Sequence, residues 1–280
     1  MYRFVLVVEY IGTNYAGSQK QGIIELKVNN EKITSGPKDP NKKTKAPLKT
    51  IQGELEKALS TLTKQKIKTI FSGRTDAGVH AKEQYVHFDT DFNCLTKSFI
   101  NSLNGILSED ISVKRIEKKD KSFHAQKSAK YRWYRYTIIN RNQRSAWDKE
   151  GLLVRENLNV KRMNETLGHL LGEHDFTSFK KVKTQNPAKI CNVYKAFCTK
   201  DNDFIYVDLI ANRFLYNMVR SIVGTLLMIE KNSLPPVTIK KILESKDRSK
   251  TGPTISPKGL TLMKVIYNEN METAHEDLFS

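Results

Sequence analysis

The sequence predicts an α+β protein. It is read as two similar α/β-sandwich halves with mainly antiparallel sheets, meeting at a central basic cleft. Three observations carry this. The order strand, helix, strand, helix occurs twice along the chain, and sheets with helices on one side bury their apolar faces in such layers. At 280 residues with 39% hydrophobic side chains, the chain can bury two moderate cores. Lys+Arg number 47 against 30 Asp+Glu, a formal charge of +17, which favours a polyanionic partner, nucleic acid first. Element order divides the chain into an N-terminal half, 1–113, and a C-terminal half, 114–280.

The first half opens on a β-rich apolar run, Arg3–Tyr10, that reads as a buried strand. A glycine-containing polar turn follows. Residues 27–49 are rich in Lys, Pro, Asn and Thr and read as a flexible insertion. Thr50 is placed to cap a helix, TIQGELEKALSTL, with Ile51, Leu55, Ala58, Leu59 and Leu62 on one face. Strands are expected near 67–71 and 84–88, and a helix over 95–104. SEDISVKRIEKK reads as a turn and a short strand at the boundary.

In the second half, YRWYRYTII (131–139) is a strand whose alternation puts Arg132, Tyr134, Tyr136 and Ile138 on one face. An amphipathic helix over 160–171 and strands near 189–199 and 204–210 follow. NMVRSIVGTLLMIEK is a helix with Val219, Ile222, Val223 and Leu226 inward. Pro235 and Pro236 open a short helix, VTIKKILES. A last strand covers Leu260–Tyr267, before a frayed tail.

Several function classes are set aside by composition. No run approaches the roughly 18 apolar residues that span a bilayer. The start lacks the pattern of a signal peptide, so no membrane partner is expected. Three widely spaced cysteines are not a disulfide framework and fit a reducing compartment, the cytoplasm. No zinc or phosphate-loop spacing occurs, so neither a metal nor a nucleotide cofactor is expected.

One stretch stands apart. Residues 71–81, FSGRTDAGVHA, crowd Ser72, Arg74, Thr75, Asp76 and His80 around two glycines between strand-like flanks. Glycines at 73 and 78 let the backbone bend and approach a ligand. An aspartate in such a turn serves either as a turn former or as a functional carboxylate, and composition leaves both open.

GRTDAGVHA resembles the central motif of the TruA family of tRNA pseudouridine synthases. Further matches follow in the family's order: VEYIGTNYAGSQKQ, TIQGELEKAL, SFHAQKSAKYRWYRYTI, GEHDFTSF, NRFLYNMVRSIVGTLL and SPKGLTLMKVIY, together spanning about residues 3–267. The resemblance implies an isomerase that detaches uracil from C1′ of a uridine in RNA and rejoins it through C5, with no cofactor. It makes Asp76 the catalytic carboxylate, held ionised by Arg220, with Tyr134 against the flipped base. Arg74, Thr75, Tyr134 and Gln52 are the candidate RNA contacts. Thr75, Gly78 and His80 also read as turn supports. The implied substrate is tRNA, at about positions 38–40 of the anticodon stem-loop, and the implied assembly is a homodimer. A sibling synthase with other RNA targets and an idle RNA-binding protein are the alternatives. Ile11, Ser18, Gln126 and Cys191 depart from the family pattern.

Overall fold

Strand β1 (Tyr2–Tyr10) lies in the middle of a layer, and its burial is continuous from Phe4 to Val8. The computed structural model describes residues 1–20, 49–181 and 189–268; the expected insertion at 27–49 falls almost wholly outside them, as does most of the tail. After β1 come α1 (Ile51–Thr63), β2 (Ile70–Phe71), β3 (His80–Thr90), α2 (Lys97–Ile106) and β4 (Ile111–Lys119). Then follow β5 (Tyr131–Asn140), β6 (Leu152–Val154), α3 (Val160–Gly168), β7 (Gly172–Asp175), β8 (Ile190–Asp201), β9 (Phe204–Ala211), α4 (Met218–Lys231), α5 (Thr238–Ser245) and β10 (Leu260–Ile266).

The strands form one ten-stranded mixed sheet in the order β4-β1-β3-β10-β5-β9-β8-β7, with β2 added on β3 and β6 on β5. Most pairings are antiparallel; β10 with β3 and β5 with β6 are parallel. The sheet is continuous because β10 lies between β3 and β5, meeting His80 and Ala81 on one side and Tyr131–Tyr136 on the other. Two apolar clusters sit on it. One packs α1 and α2 against β1, β3 and β4; the other packs α3, α4 and α5 against β5, β8 and β9. Tyr134 touches both.

Local chemistry explains the boundaries. Thr50 Oγ1 accepts the Gly53 N–H at 3.1 Å, the expected cap of α1. Ile51, Leu55, Ala58 and Leu59 are buried along one face, and truncating such a leucine to alanine removes about 2–5 kcal/mol. Strand β2 is shorter than the expected 67–71 because α1 claims the backbone before it. Ser60 Oγ takes the Ile67 N–H, Glu56 Oε1 takes the Thr69 N–H at 2.9 Å, and Gln52 Nε2 donates to Thr69 O at 3.2 Å. Strand β3 is longer than 84–88, since β1 and β10 both pair with its first residues. The expected boundary at 113 falls within β4, which pairs with β1 over Arg3–Tyr10.

Candidate active site

The turn 72–79 leaves β2 and enters β3. Its curvature closes with a Val79 N–H to Asp76 O bond of 3.2 Å. Gly78, at φ 78°, occupies a left-handed conformation that other residues rarely adopt. Gly73 has no positive φ, so only one of the two flanking glycines is required by the bend.

Backbone groups in a turn lie outside any ladder, and a buried polar network joins a few backbone bonds in supplying the partners. Ser72 Oγ donates to Gln84 Oε1. Gln84 Nε2 donates to Gly73 O at 3.0 Å and lies 3.4 Å from Tyr10 Oη. Tyr10 Oη pairs with Thr75 Oγ1 at 2.8 Å, and Ser18 Oγ accepts the Thr75 N–H at 2.8 Å. All five side chains are buried. Ser18, a departure in the resemblance, is thus a fixed acceptor under the turn. His80 sits below it: Nδ1 accepts the Gly12 N–H at 3.1 Å, and Nε2 lies 3.0 Å from Lys258 O and 2.8 Å from Glu150 Oε2. Those contacts make His80 a scaffold residue.

Asp76 emerges from this turn into a cleft of about 1030 Å³. Tyr134 comes from β5, opposite Leu209 of β9 and Leu262 of β10. Its ring meets Phe214 edge-on at 5.1 Å. Arg220 comes from the first turn of α4, off the buried Val219, Ile222, Val223, Leu226 stripe. Its Nη1 lies 3.5 Å from Asp76 Oδ2, and its Nε donates to Ile255 O at 2.7 Å. Helix α4 is pressed onto the 252–255 segment at Gly224, where a Cβ would stand 1.9 Å from Pro253 O. Arg74, Lys127, Lys130, Arg132 and Arg213 also line the cleft, against Asp76 as its one acid among the described residues.

Burial raises the Asp76 pKa above its ordinary 3.8, and the opposing pull of Arg220, followed by Arg74 and Lys181, offsets this only in part. Arg220 therefore limits the rise rather than reversing it. Burial also lifts Tyr134 far above the ordinary phenol range, with the Asp76 charge adding to the rise. Tyr134 is consequently a neutral hydroxyl and an aromatic face at neutral pH. The arrangement joins a carboxylate made more basic by burial, a guanidinium and a ring in a space large enough for a nucleotide.

Of the expected site residues, Asp76, Arg74, Thr75 and Tyr134 line the cleft, and Arg220 contacts Asp76. The Thr75 hydroxyl is taken up by Tyr10. Gln52 lies elsewhere: its amide bridges the Lys20 N–H, Glu56 and Thr69 O, a strut between α1 and β2. Arg132 was not singled out by sequence reasoning, although alternation placed it on the face of Tyr134. Its guanidinium donates to Ala129 O, Gln126 O and Asn212 O at 2.7–2.9 Å and to Ser72 O at 3.4 Å, tying three cleft walls together. Gln126 lines the cleft, Cys191 is buried in the second core, and Ile11 is exposed. Among the described residues no cluster of three or more His, Cys, Asp or Glu could hold a metal, and no helix is long and apolar enough to cross a membrane.

Comparison with known proteins decides the family. A tRNA pseudouridine synthase family model matches residues 167–268. The tRNA pseudouridine synthase A of Caldicellulosiruptor bescii is 38% identical over 95% of this chain and 100% of its own. The chain belongs to the tRNA pseudouridine synthase A family. The synthases of Colwellia psychrerythraea and Buchnera aphidicola agree, at 36% identity over 96% of this chain and 95% of theirs, and 40% over 94% and 91%. A solved Cbf5-Nop10-Gar1 complex overlaps at a TM-score of 0.39 and 9% identity, over 78% of this chain and 46% of that one; so slight a likeness bears on neither fold nor function.

Proposed function

We propose that this pseudouridine synthase converts uridine to pseudouridine in the tRNA anticodon stem-loop, at about positions 38–40, with Asp76 as its reactive carboxylate. Uridine isomerisation in tRNA follows from family membership; the position and the residue roles are our reading. The observation that carries it is the contact of Asp76 with Arg220 in a cleft that also holds Tyr134. The reaction breaks the C1′–N1 bond and forms C1′–C5. The hydrogen on C5 leaves as a proton and N1 gains one, so composition is unchanged. Burial strengthens Asp76 as a nucleophile or proton acceptor, and covalent attack would divide one hard step into easier ones. Tyr134 offers the turned uracil a flat face.

Extracting a stem uridine requires unpairing, which costs a few kcal/mol. Phosphate contacts to Arg74, Lys127, Lys130 and Arg213 offset that and make binding salt-sensitive. Two apolar cores on one sheet, with Tyr134 packed against both, support the reading of two similar halves meeting at a central basic cleft. We also assign the protein to the cytoplasm, in keeping with three buried free cysteines. The homodimer remains part of the reading; half-buried Phe197, Phe204 and Tyr206, on the sheet face opposite α3 and α4, offer it a surface.

The test is a chemical pseudouridine map of tRNA transcripts after incubation with enzyme. Product at adjacent anticodon-arm uridines supports the reading, and product elsewhere favours a sibling specificity. Binding without product, unchanged in Asp76→Asn, marks an idle RNA-binding protein.

A further inference from the structure

Among the described residues Arg220 makes three polar contacts, and the one to Asp76 is the longest. Its Nε is held by Ile255 O at 2.7 Å and its Nη1 by Asn217 Oδ1 at 3.1 Å, against 3.5 Å to Asp76 Oδ2. The aim of the guanidinium is therefore set by the first two acceptors. Ile255 O belongs to the segment pinned against Gly224 of α4. Asn217 is of a different kind. It is the N-cap residue of α4, yet its side chain makes no capping bond. An N-cap asparagine is ordinarily extended and turns its carbonyl onto the helix's free N–H groups. Here the backbone is left-handed, at φ 65° and ψ 4°, a conformation asparagine tolerates better than most residues. The chain forgoes a cap and adopts an uncommon backbone at one position, and the amide oxygen so freed lies on Arg220. Asn217 also lines the cleft.

We propose that Asn217 is the positioning residue of this site: its side-chain oxygen aims the Arg220 guanidinium at Asp76. The proposal rests on Asp76 being the reactive carboxylate. Among the described residues, the charged and titratable groups acting on Asp76 are Arg220 from α4, Arg74 from its own turn, Lys181 beyond β7 and Tyr134 from β5. Arg220 has the largest opposing effect on the carboxylate, so loosening it lets burial carry the carboxylate further upward.

The experiment measures kcat, KM and the acid limb of kcat/KM on a tRNA transcript, with thermal melts. The proteins are the parent, Asn217→Gly, Asn217→Asp, Arg220→Ala, Arg220→Ala with Asn217→Gly, and Asp76→Asn. Asn217→Gly keeps the left-handed backbone and removes the amide. Its kcat falls about tenfold with KM within about twofold, a misplacement effect. Its acid limb moves to higher pH, and its melting temperature is unchanged. In the Arg220→Ala background the same substitution changes kcat by less than about twofold, because an effect exerted through Arg220 has already been lost. Asn217→Asp, which keeps an acceptor in place, stays within about threefold of the parent kcat on the high-pH plateau. Equal losses from Asn217→Gly in both backgrounds overturn the proposal, as does an unmoved acid limb or an Asp variant as impaired as the Gly variant. An active Asp76→Asn instead overturns the assignment of the carboxylate, a separate failure.

Discussion

The two charged partners of the site are built by opposite means. Asp76 sits on a turn outside any regular ladder, and side chains from the core hold it: Ser18 accepts the Thr75 N–H, Gln84 donates to Gly73 O and meets Ser72, and Tyr10 takes the Thr75 hydroxyl. Arg220 sits on a helix that satisfies its own backbone, and its place follows from shape: a buried stripe and a glycine that lets α4 meet the 252–255 segment. The difference teaches where each arm is vulnerable. The turn fails through lost hydrogen bonds and the helix through added volume, so polar and steric substitutions separate them.

The sharpest break in the comparison is Asp76→Asn. Turnover is expected to vanish while tRNA affinity stays nearly intact. The same variant should be more thermostable. A carboxylate whose native pKa lies above its unfolded value binds more protons when folded, so stability is full below the unfolded pKa and falls as pH rises through the native one. Above that range the charge opposes folding, and the amide removes it. A melting temperature that falls, measured at pH 7, counts against this.

Steric damage to the helix arm comes next. Gly224→Ala brings a Cβ to 1.9 Å from a backbone carbonyl, which cannot yield as a side-chain end would. A loss of about 1–3 kcal/mol or more in denaturant unfolding is expected, with kcat reduced because Arg220 moves. Polar damage to the turn arm follows. Gln84→Leu takes the Gln84 amide from the Ser72 hydroxyl and the Gly73 carbonyl, while Tyr10 keeps Thr75. Stranding a buried polar group costs about 1–3 kcal/mol, and kcat should fall more than KM rises. The smallest effect is expected at Gln52→Ala, which removes a strut outside both arms: about 1 kcal/mol of stability, with KM for tRNA unchanged. A raised KM there would restore Gln52 as an RNA contact.

What could be read from the chain divides along the same line. Strand β1 and helices α1 and α4 announce themselves by apolar run, cap and period, and the off-stripe place of Arg220 was visible in NMVRSIVGTLL. Local pattern carries such signals. The insertion of β10 between β3 and β5 has no local signature, because strand order is decided by pairing across some 180 residues. Gln52 has the composition of a surface contact and is drawn inward only because Thr69 passes within reach. Arg132 lay on a recognised face, yet its four carbonyl partners come from three separate segments. The upward shift of Asp76 was hidden because it is a balance between burial and a partner 144 residues away. A motif names the carboxylate, but its environment belongs to the fold.

The pH dependence of kcat/KM on a tRNA transcript, for the parent and for Arg220→Ala, tests most directly whether burial opposed by Arg220 sets the state of Asp76. The parent's acid limb should lie above the ordinary aspartate value of 3.8 and move higher when the guanidinium is removed. A parent limb at or below that value, or one that Arg220→Ala leaves in place, would contradict the account.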